Sequence, residues 1–150
     1  MSSEKLSSEE EEFRKLAVEL RILETTAETL QARINMVNAI LTDLNYANMT
    51  LEGLEKEDEN ADLFVPIGGG SYIKARLQEK DRVLVGMGAG VTVERTLSQA
   101  RETVKNRIDQ LEKTRTALQQ QFVQVVERIR EDRGRLEEIS AKLSQRRTQQ

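Results

Sequence analysis

The stretch LFVPIGGGSYIKA, residues 63–75, decides the fold, because the sequence changes there from a helical period to a strand period. Apolar residues alternate with other residues at Leu63, Val65 and Ile67, and the alternation resumes at Ile73 after three consecutive glycines. Alternation with a period of two on both sides of a glycine-rich turn predicts a β-hairpin.

A second hairpin is predicted from VLVGMGAGVTVE, residues 83–94, which alternates in the same way around another glycine-rich turn. The polar residues 79–81 connect the two hairpins. Isolated hairpins are marginally stable in water, and their apolar faces and open strand edges need partners. We therefore expect the hairpins of several chains to join in an oligomeric β-barrel.

Long heptad repeats flank the hairpins, with apolar residues alternately three and four positions apart. They predict coiled-coil helices over about residues 8–58 and about residues 96–146, each roughly 70–80 Å long. The fold class is then α+β and mostly α: a long antiparallel coiled coil with two central β-hairpins. The seam residues of the first helix are Phe13, Leu16, Leu20, Leu23, Ala27, Leu30, Ile34, Val37, Leu41, Leu44, Asn48 and Leu51. Those of the second are Leu97, Arg101, Val104, Ile108, Leu111, Arg115, Leu118, Phe122, Val125, Ile129, Asp132, Leu136, Ile139 and Leu143.

Four seam positions are polar: Asn48, Arg101, Arg115 and Asp132. Polar residues in a coiled-coil core often fix register or orientation at some cost in stability. Arg101 has two readings, since its side chain could pair with Glu52 or extend past the seam into solvent.

Composition excludes several classes of function. The chain has no Cys and no His, which rules out disulfides, thiol catalysis, Cys/His zinc sites and imidazole bases. A net charge of −3 with interleaved signs argues against a nucleic-acid surface and a polybasic membrane anchor. No apolar run reaches the roughly 20 residues of a membrane span, and the N-terminus lacks a signal core. We expect a soluble, cytoplasmic protein.

No catalytic, cofactor-binding or metal site is expected. Glycines 68–70 lead into a strand rather than into the Gly-Lys-Ser/Thr end of a phosphate loop. Residues 86–90 lack the glycine spacing of a dinucleotide fingerprint. The carboxylates fall mostly on solvent-facing helix positions, where they form surface ion pairs. The sequence favours a binding or structural protein over an enzyme.

The free ends of the two helices, called the tips below, carry apolar residues that no third element covers. These residues are Leu6, Phe13, Leu16, Leu136, Ile139 and Leu143. Exposed apolar surface on a soluble protein usually marks a binding site. The same residues also fit a purely structural role, in which they close the coiled coil.

The chain resembles the α-type subunit of prefoldin over nearly its whole length, taken as one domain, residues 1–150. Residues 63–75 resemble the family pattern VPIGxGSxxKA, and residues 83–94 resemble the pattern VxVGxGxxVE. Two hairpins between the helices indicate the α class, since β subunits have one, and the short chain resembles the archaeal type.

The resemblance implies an ATP-independent chaperone without a cofactor. Two α and four β subunits would form a hexamer that holds unfolded client proteins at its tips and delivers them to a group II chaperonin. Assembly would fall on the strand residues Val65, Ile67, Ile73, Val83, Val85, Val91 and Val93. Client binding would fall on the six apolar tip residues, by their position and chemistry.

Two alternatives stay open at this point. A structural, filament-forming subunit could use the same hairpins in an open array, because closure depends on the symmetry of the contact. An ordinary coiled-coil scaffold could bind one folded helix. Removing the tips distinguishes a chaperone from a filament subunit, since it should abolish client holding in the first but leave filament assembly intact in the second.

Overall fold

A computed structural model describes residues 2–149, so Met1 and Gln150 of the predicted 1–150 domain lie outside the described residues. Two long helices flank four strands in the order α1, β1, β2, β3, β4, α2, which confirms the predicted fold class. The elements are α1 (Ser2–Glu55), β1 (Asp62–Gly68), β2 (Ser71–Arg76), β3 (Val83–Gly88), β4 (Val91–Arg95) and α2 (Leu97–Thr148).

The helix ends differ from the expected bounds by a few residues. Helix α1 begins at Ser2 rather than near Ser8, since no Gly or Pro interrupts residues 2–8 and Glu4 favours the positive end of the helix dipole. It ends at Glu55, and the chain then turns through Asn60, which has a φ of 67°.

Helix α2 starts with a reciprocal cap at Thr96. The Thr96 hydroxyl accepts a hydrogen bond from the backbone N–H of Gln99 at 3.2 Å, and the Gln99 side chain accepts one from the Thr96 N–H at 3.2 Å. This arrangement is a capping box, which satisfies two N–H groups that have no partner within the helix. The helix direction after β4 is therefore set locally.

The strands form two separate antiparallel hairpins, β1 with β2 (hairpin 1) and β3 with β4 (hairpin 2). In hairpin 1, Val65 lies opposite Ile73 on one face, and a register shift precedes the turn. The turn residues Gly69 and Gly70 have φ values of 57° and 73°. Two successive positive φ angles match the twist of a tight hairpin and favour glycine.

The described chain divides into two compact units: residues 2–38 with 114–149, and residues 39–113. In both units every predicted seam residue is buried or half-buried. In the first unit Arg115 donates to Asn38 at 3.3 Å, as expected for antiparallel helices. The heptad pattern thus identified the buried stripe of both helices.

Candidate assembly and client-binding surfaces

Hairpin 1 has apolar side chains that nothing in its own unit covers. Val65, Ile67 and Ile73 are 42%, 65% and 56% exposed, and on the opposite face Phe64 and Tyr72 are also exposed. Both faces of this two-stranded sheet are therefore in contact with solvent in the single chain. Such a sheet cannot bury a core of its own, so it has the character of an incomplete interface.

Hairpin 2 is held against helix α2. Asp81 accepts a hydrogen bond from the N–H of Leu97 at 3.4 Å, and Arg107 contacts the sulfur of Met87 at 3.4 Å. Val85 is buried at 7% exposed, and its cross-strand partner Val93 is half-buried.

The predicted assembly residues differ in their exposure within the single chain, and their role in assembly stays a prediction. Val85 does not present a free face to another chain, because its own unit covers it. Val83 is half-buried, and Val91 near the turn is exposed. The exposed candidates for assembly are thus Val65, Ile67 and Ile73 of hairpin 1 and Val91 of hairpin 2.

The link between the hairpins binds the facing ends of both helices. The Lys80 ammonium donates to the carbonyl oxygens of Glu55 at 3.2 Å and Glu57 at 2.7 Å, beside the negative end of the α1 dipole. The neighbouring Asp81 carboxylate accepts from the first N–H of α2. Each charge faces the helix end that favours it, so the dipeptide fixes where the hairpins leave the helices.

Replacing Lys80 or Asp81 by Ala should lower the free energy of unfolding by about 1 kcal/mol, because each change removes a charge-assisted bond at a partly exposed helix end. Chemical denaturation followed by circular dichroism measures the loss. Lys56→Ala is the matched control, since Lys56 lies just past α1 and its side chain forms no hydrogen bond or ion pair among the described residues. Equal losses in all three variants would show that the link does not anchor the helices.

Five of the six predicted tip residues are half-buried, and Ile139 is almost completely buried at 1% exposed. Phe13 and Leu143 line a common groove of about 470 Å³, with Arg14 and Arg147 at its edge. Ile139 packs inside the seam, which fits the structural role that the sequence also allowed for these residues. Client contact by the six tip residues stays a prediction.

Sequence reasoning missed an exposed apolar pair in the same unit. Val18 and Ile22, one helical turn apart, are each 61% exposed and line a shallow surface depression with Arg14 and Lys15. The heptad pattern held the signal, since both residues fall at outward positions, which are usually polar.

The contacts of Arg101 decide between the two interpretations of its seam position, pairing with helix α1 or extension into solvent. Its guanidinium binds Glu55 at 2.5 Å and Glu52 at 3.4 Å, and the hydrogen bond with Arg101 lowers the pKa of the Glu55 carboxyl. The Arg101 Nε atom, however, has no hydrogen-bond partner. The residue therefore pairs with helix α1 across the seam rather than extending into solvent.

Asp132 is the one buried charged residue of the described chain, at 4% exposed. Its Oδ2 atom has no hydrogen-bond partner, and Oδ1 lies 3.5 Å from the Arg128 guanidinium. Burial, followed by the negative charge of Glu19, raises the pKa of the Asp132 carboxyl, and Arg128 opposes the shift. The seam of this unit thus contains an incompletely compensated charge.

Ion pairs between the helices share one polarity. Helix α1 supplies the glutamate and helix α2 the arginine in Glu9–Arg146, Glu12–Arg135, Glu19–Arg128 and Glu24–Arg133 of one unit and in both Arg101 pairs of the other. The distances lie between 2.5 and 3.4 Å. These pairs flank the seam and favour α1 beside α2 over two like helices.

Over residues 2–149 no three acidic residues come together in a way that could hold a metal ion. In that same part of the chain neither helix has an apolar stretch long enough to cross a bilayer. The surfaces described above are open and built from apolar side chains and ion pairs. They are suited to binding other proteins.

A family model described as prefoldin subunit matches residues 23–148. The prefoldin subunit alpha of Methanosarcina barkeri is 37% identical over 107 residues, covering 69% of this chain and 74% of the relative. That of Pyrococcus horikoshii is 28% identical over 140 residues, covering 93% and 95%. In fold, the chain is similar to the cryo-EM structure of filamentous PFD from Methanocaldococcus jannaschii, with a TM-score of 0.63 at 23% identity, covering 75% of this chain and 93% of that one.

Proposed function

Because this chain belongs to the prefoldin family, we propose that it is the α-type subunit of an ATP-independent holdase, which captures non-native proteins without catalysing a reaction. The observation that carries the proposal is the family match over residues 23–148, which includes both hairpins and most of both helices. The open, apolar character of the candidate surfaces supports it.

We assign assembly to the hairpins. The uncovered face of hairpin 1, with Val65 opposite Ile73, has the strand edges and apolar side chains that a further strand would cover. The partners are β-type prefoldin subunits, two α chains with four β chains, joined in a β-barrel. The assembly is cytoplasmic and passes its clients to a group II chaperonin.

Client holding is assigned to the tips. A single tip offers little apolar area, with a groove at Phe13 and Leu143 and the exposed pair Val18 and Ile22. Several weak contacts on one client act together, because binding at one tip raises the effective concentration of the client at the others. No nucleotide is needed for such a cycle.

A filament-forming, structural subunit is the alternative. This alternative is supported by the similar fold of the Methanocaldococcus jannaschii protein, which is filamentous. The hairpin surfaces serve both cases, and only the geometry of the contact decides between a closed ring and an open array.

Light scattering of a chemically unfolded model protein, diluted into buffer with the full chain assembled with its β-type partner, tests the proposal. We expect suppressed aggregation with and without ATP. A variant lacking about 25 residues at each end, roughly seven helical turns, loses every tip residue, Val18 and Ile22 included, and should still assemble but lose the suppression.

The assembly state of both proteins is measured first, by size-exclusion chromatography with multi-angle scattering. A verified oligomer that does not suppress aggregation would contradict the holdase and favour the structural alternative. Filaments in place of a closed particle, unaffected by trimming, would point the same way.

A further inference from the structure

The most exposed apolar side chains of the tip lie on the outside of helix α1, not along the seam. Val18 and Ile22 point away from the half-buried seam residues Leu16 and Leu23 and are each 61% exposed. Outward positions of a coiled-coil helix are usually polar, so two exposed apolar side chains there need an explanation.

Three cationic side chains that form no ion pair within the described chain surround this pair. Arg14 and Lys15 lie one turn before it, and Arg21 lies between its two members in the sequence. Among residues 2–149 these three side chains take part in no ion pair. The neighbouring Glu19 is held by Arg128 of helix α2 at 3.1 Å, which neutralises the nearest acid.

We propose that this cationic apolar patch, Arg14, Lys15, Val18, Arg21 and Ile22, is the part of the tip that contacts clients, and that it selects segments in which an apolar side chain stands next to Asp or Glu. The inference rests on the proposed holdase function. The apolar pair supplies contact area, and the cations complement the carboxylate of such a segment.

Charge argues against a second copy of this chain as the occupant. Two α1 helices meeting through this face would place Arg14 and Lys15 of one chain near the same cations of the other. Like charges at close range disfavour that contact. An acidic, apolar segment meets no such opposition.

The first test replaces the apolar pair. Val18→Ser with Ile22→Ser, in the full chain assembled with its β-type partner, should weaken binding of a fluorescent peptide of alternating Leu and Asp about tenfold. Met36→Ser with Met49→Ser is the control, because these α1 residues are exposed to a similar extent, 66% and 67%. The control should bind the peptide as the unaltered protein does.

The second test addresses charge. The unaltered assembly should bind the Leu/Asp peptide several-fold more tightly than a Leu/Lys peptide, with a preference that falls as salt rises. Arg14→Gln with Lys15→Gln should erase most of the preference, whereas Arg130→Gln with Lys142→Gln, at exposed positions of α2, should preserve it.

The outcomes separate the inference from the function it rests on. If the assembly suppresses aggregation but the Val18 and Ile22 variant binds peptide and client normally, the patch is not the contact surface and the holdase stands. Equal binding of both peptides would overturn the selectivity. Failure of the unaltered assembly to suppress aggregation would instead refute the proposed function. Dimerisation through the patch, lost in the Val18 and Ile22 variant, would assign it to a second copy.

Discussion

Ile73→Asp is expected to abolish assembly with β-type subunits while leaving the helices intact. Ile73 lies opposite Val65 on the uncovered face of hairpin 1 and is 56% exposed in the single chain. If a partner strand covers this face, the new carboxylate becomes buried without a cation, which costs several kcal/mol. A loss of about 3 kcal/mol weakens association more than 100-fold.

Size-exclusion chromatography with multi-angle scattering measures the oligomer, and circular dichroism checks that helix content is unchanged. Thr92→Asp is the matched control, because Thr92 is an exposed strand residue of hairpin 2 that faces away from the buried Val85. Unchanged assembly of the Ile73 variant would show that this face stays in solvent, and assembly would then have to use other surfaces.

Asp132→Leu is expected to raise the free energy of unfolding by about 2 kcal/mol. The change replaces a buried carboxylate, whose Oδ2 atom has no partner, with an apolar side chain at a seam position. Replacing incompletely compensated buried charges by apolar groups is often stabilising by about 1–4 kcal/mol. Thermal and chemical denaturation at one protein concentration measure the gain, because oligomer stability depends on concentration.

Asp132→Asn separates charge from packing, since it keeps the shape and removes the charge, and it should give only part of the gain. A less stable Leu variant would mean that Arg128, 3.5 Å from the Asp132 carboxylate, compensates its burial fully. The interaction would then be a net favourable ion pair in the seam.

The Asp132 carboxyl also makes the stability of the fold depend on pH, in a direction that follows from its raised pKa. Folding raises the pKa of the Asp132 carboxyl above its ordinary value of 3.8, so the folded chain binds this proton more tightly than the unfolded chain. Glu19 and Glu131 add to the shift and Arg128 opposes it. The stabilising effect of protonating Asp132 is complete below pH 3.8, the ordinary pKa of the group. It is lost as the pH rises through the pKa of Asp132 in the folded chain.

Comparing the unaltered protein with Asp132→Leu isolates this effect, because other carboxyls respond in the opposite direction. Arg101 lowers the pKa of Glu55, and Arg82 lowers that of Glu94, so these groups lose stabilisation as pH falls. The stability advantage of the Leu variant should shrink on acidification from pH 7. An advantage independent of pH would show that Asp132 is already protonated at neutral pH or is not desolvated.

The regular parts of the fold could be predicted from the sequence because each follows one short-range rule. A 3.5-residue period places Leu30 and Ile108 in the seam, and a period of two with paired glycines places Val65 opposite Ile73. These rules depend only on neighbouring residues. The start of α1 at Ser2 follows no such rule, because no Gly or Pro between Ser2 and residue 8 marks where the helix begins.

The candidate sites were harder to predict because exposure depends on what packs nearby. Val85 and Ile73 have the same strand pattern, yet one is buried within its own unit and the other is open. Ile139 looked like a tip residue and is the most buried large side chain of the described chain. The anchoring of hairpin 2 by Asp81 and Arg107 links distant parts of the sequence that no periodicity connects.

The side chains that flank the seam are glutamates on α1 and arginines on α2, and this division bears on how the helices pair while the chain is being translated. Helix α1 leaves the ribosome before α2 exists, and its bare apolar seam would then favour pairing with another nascent α1. The glutamates at 9, 12, 19 and 24 would face one another in such a pair and oppose it. The arginines of α2 relieve this repulsion once the second helix has emerged, so the charges favour pairing of α1 with its own α2 over pairing with a second α1.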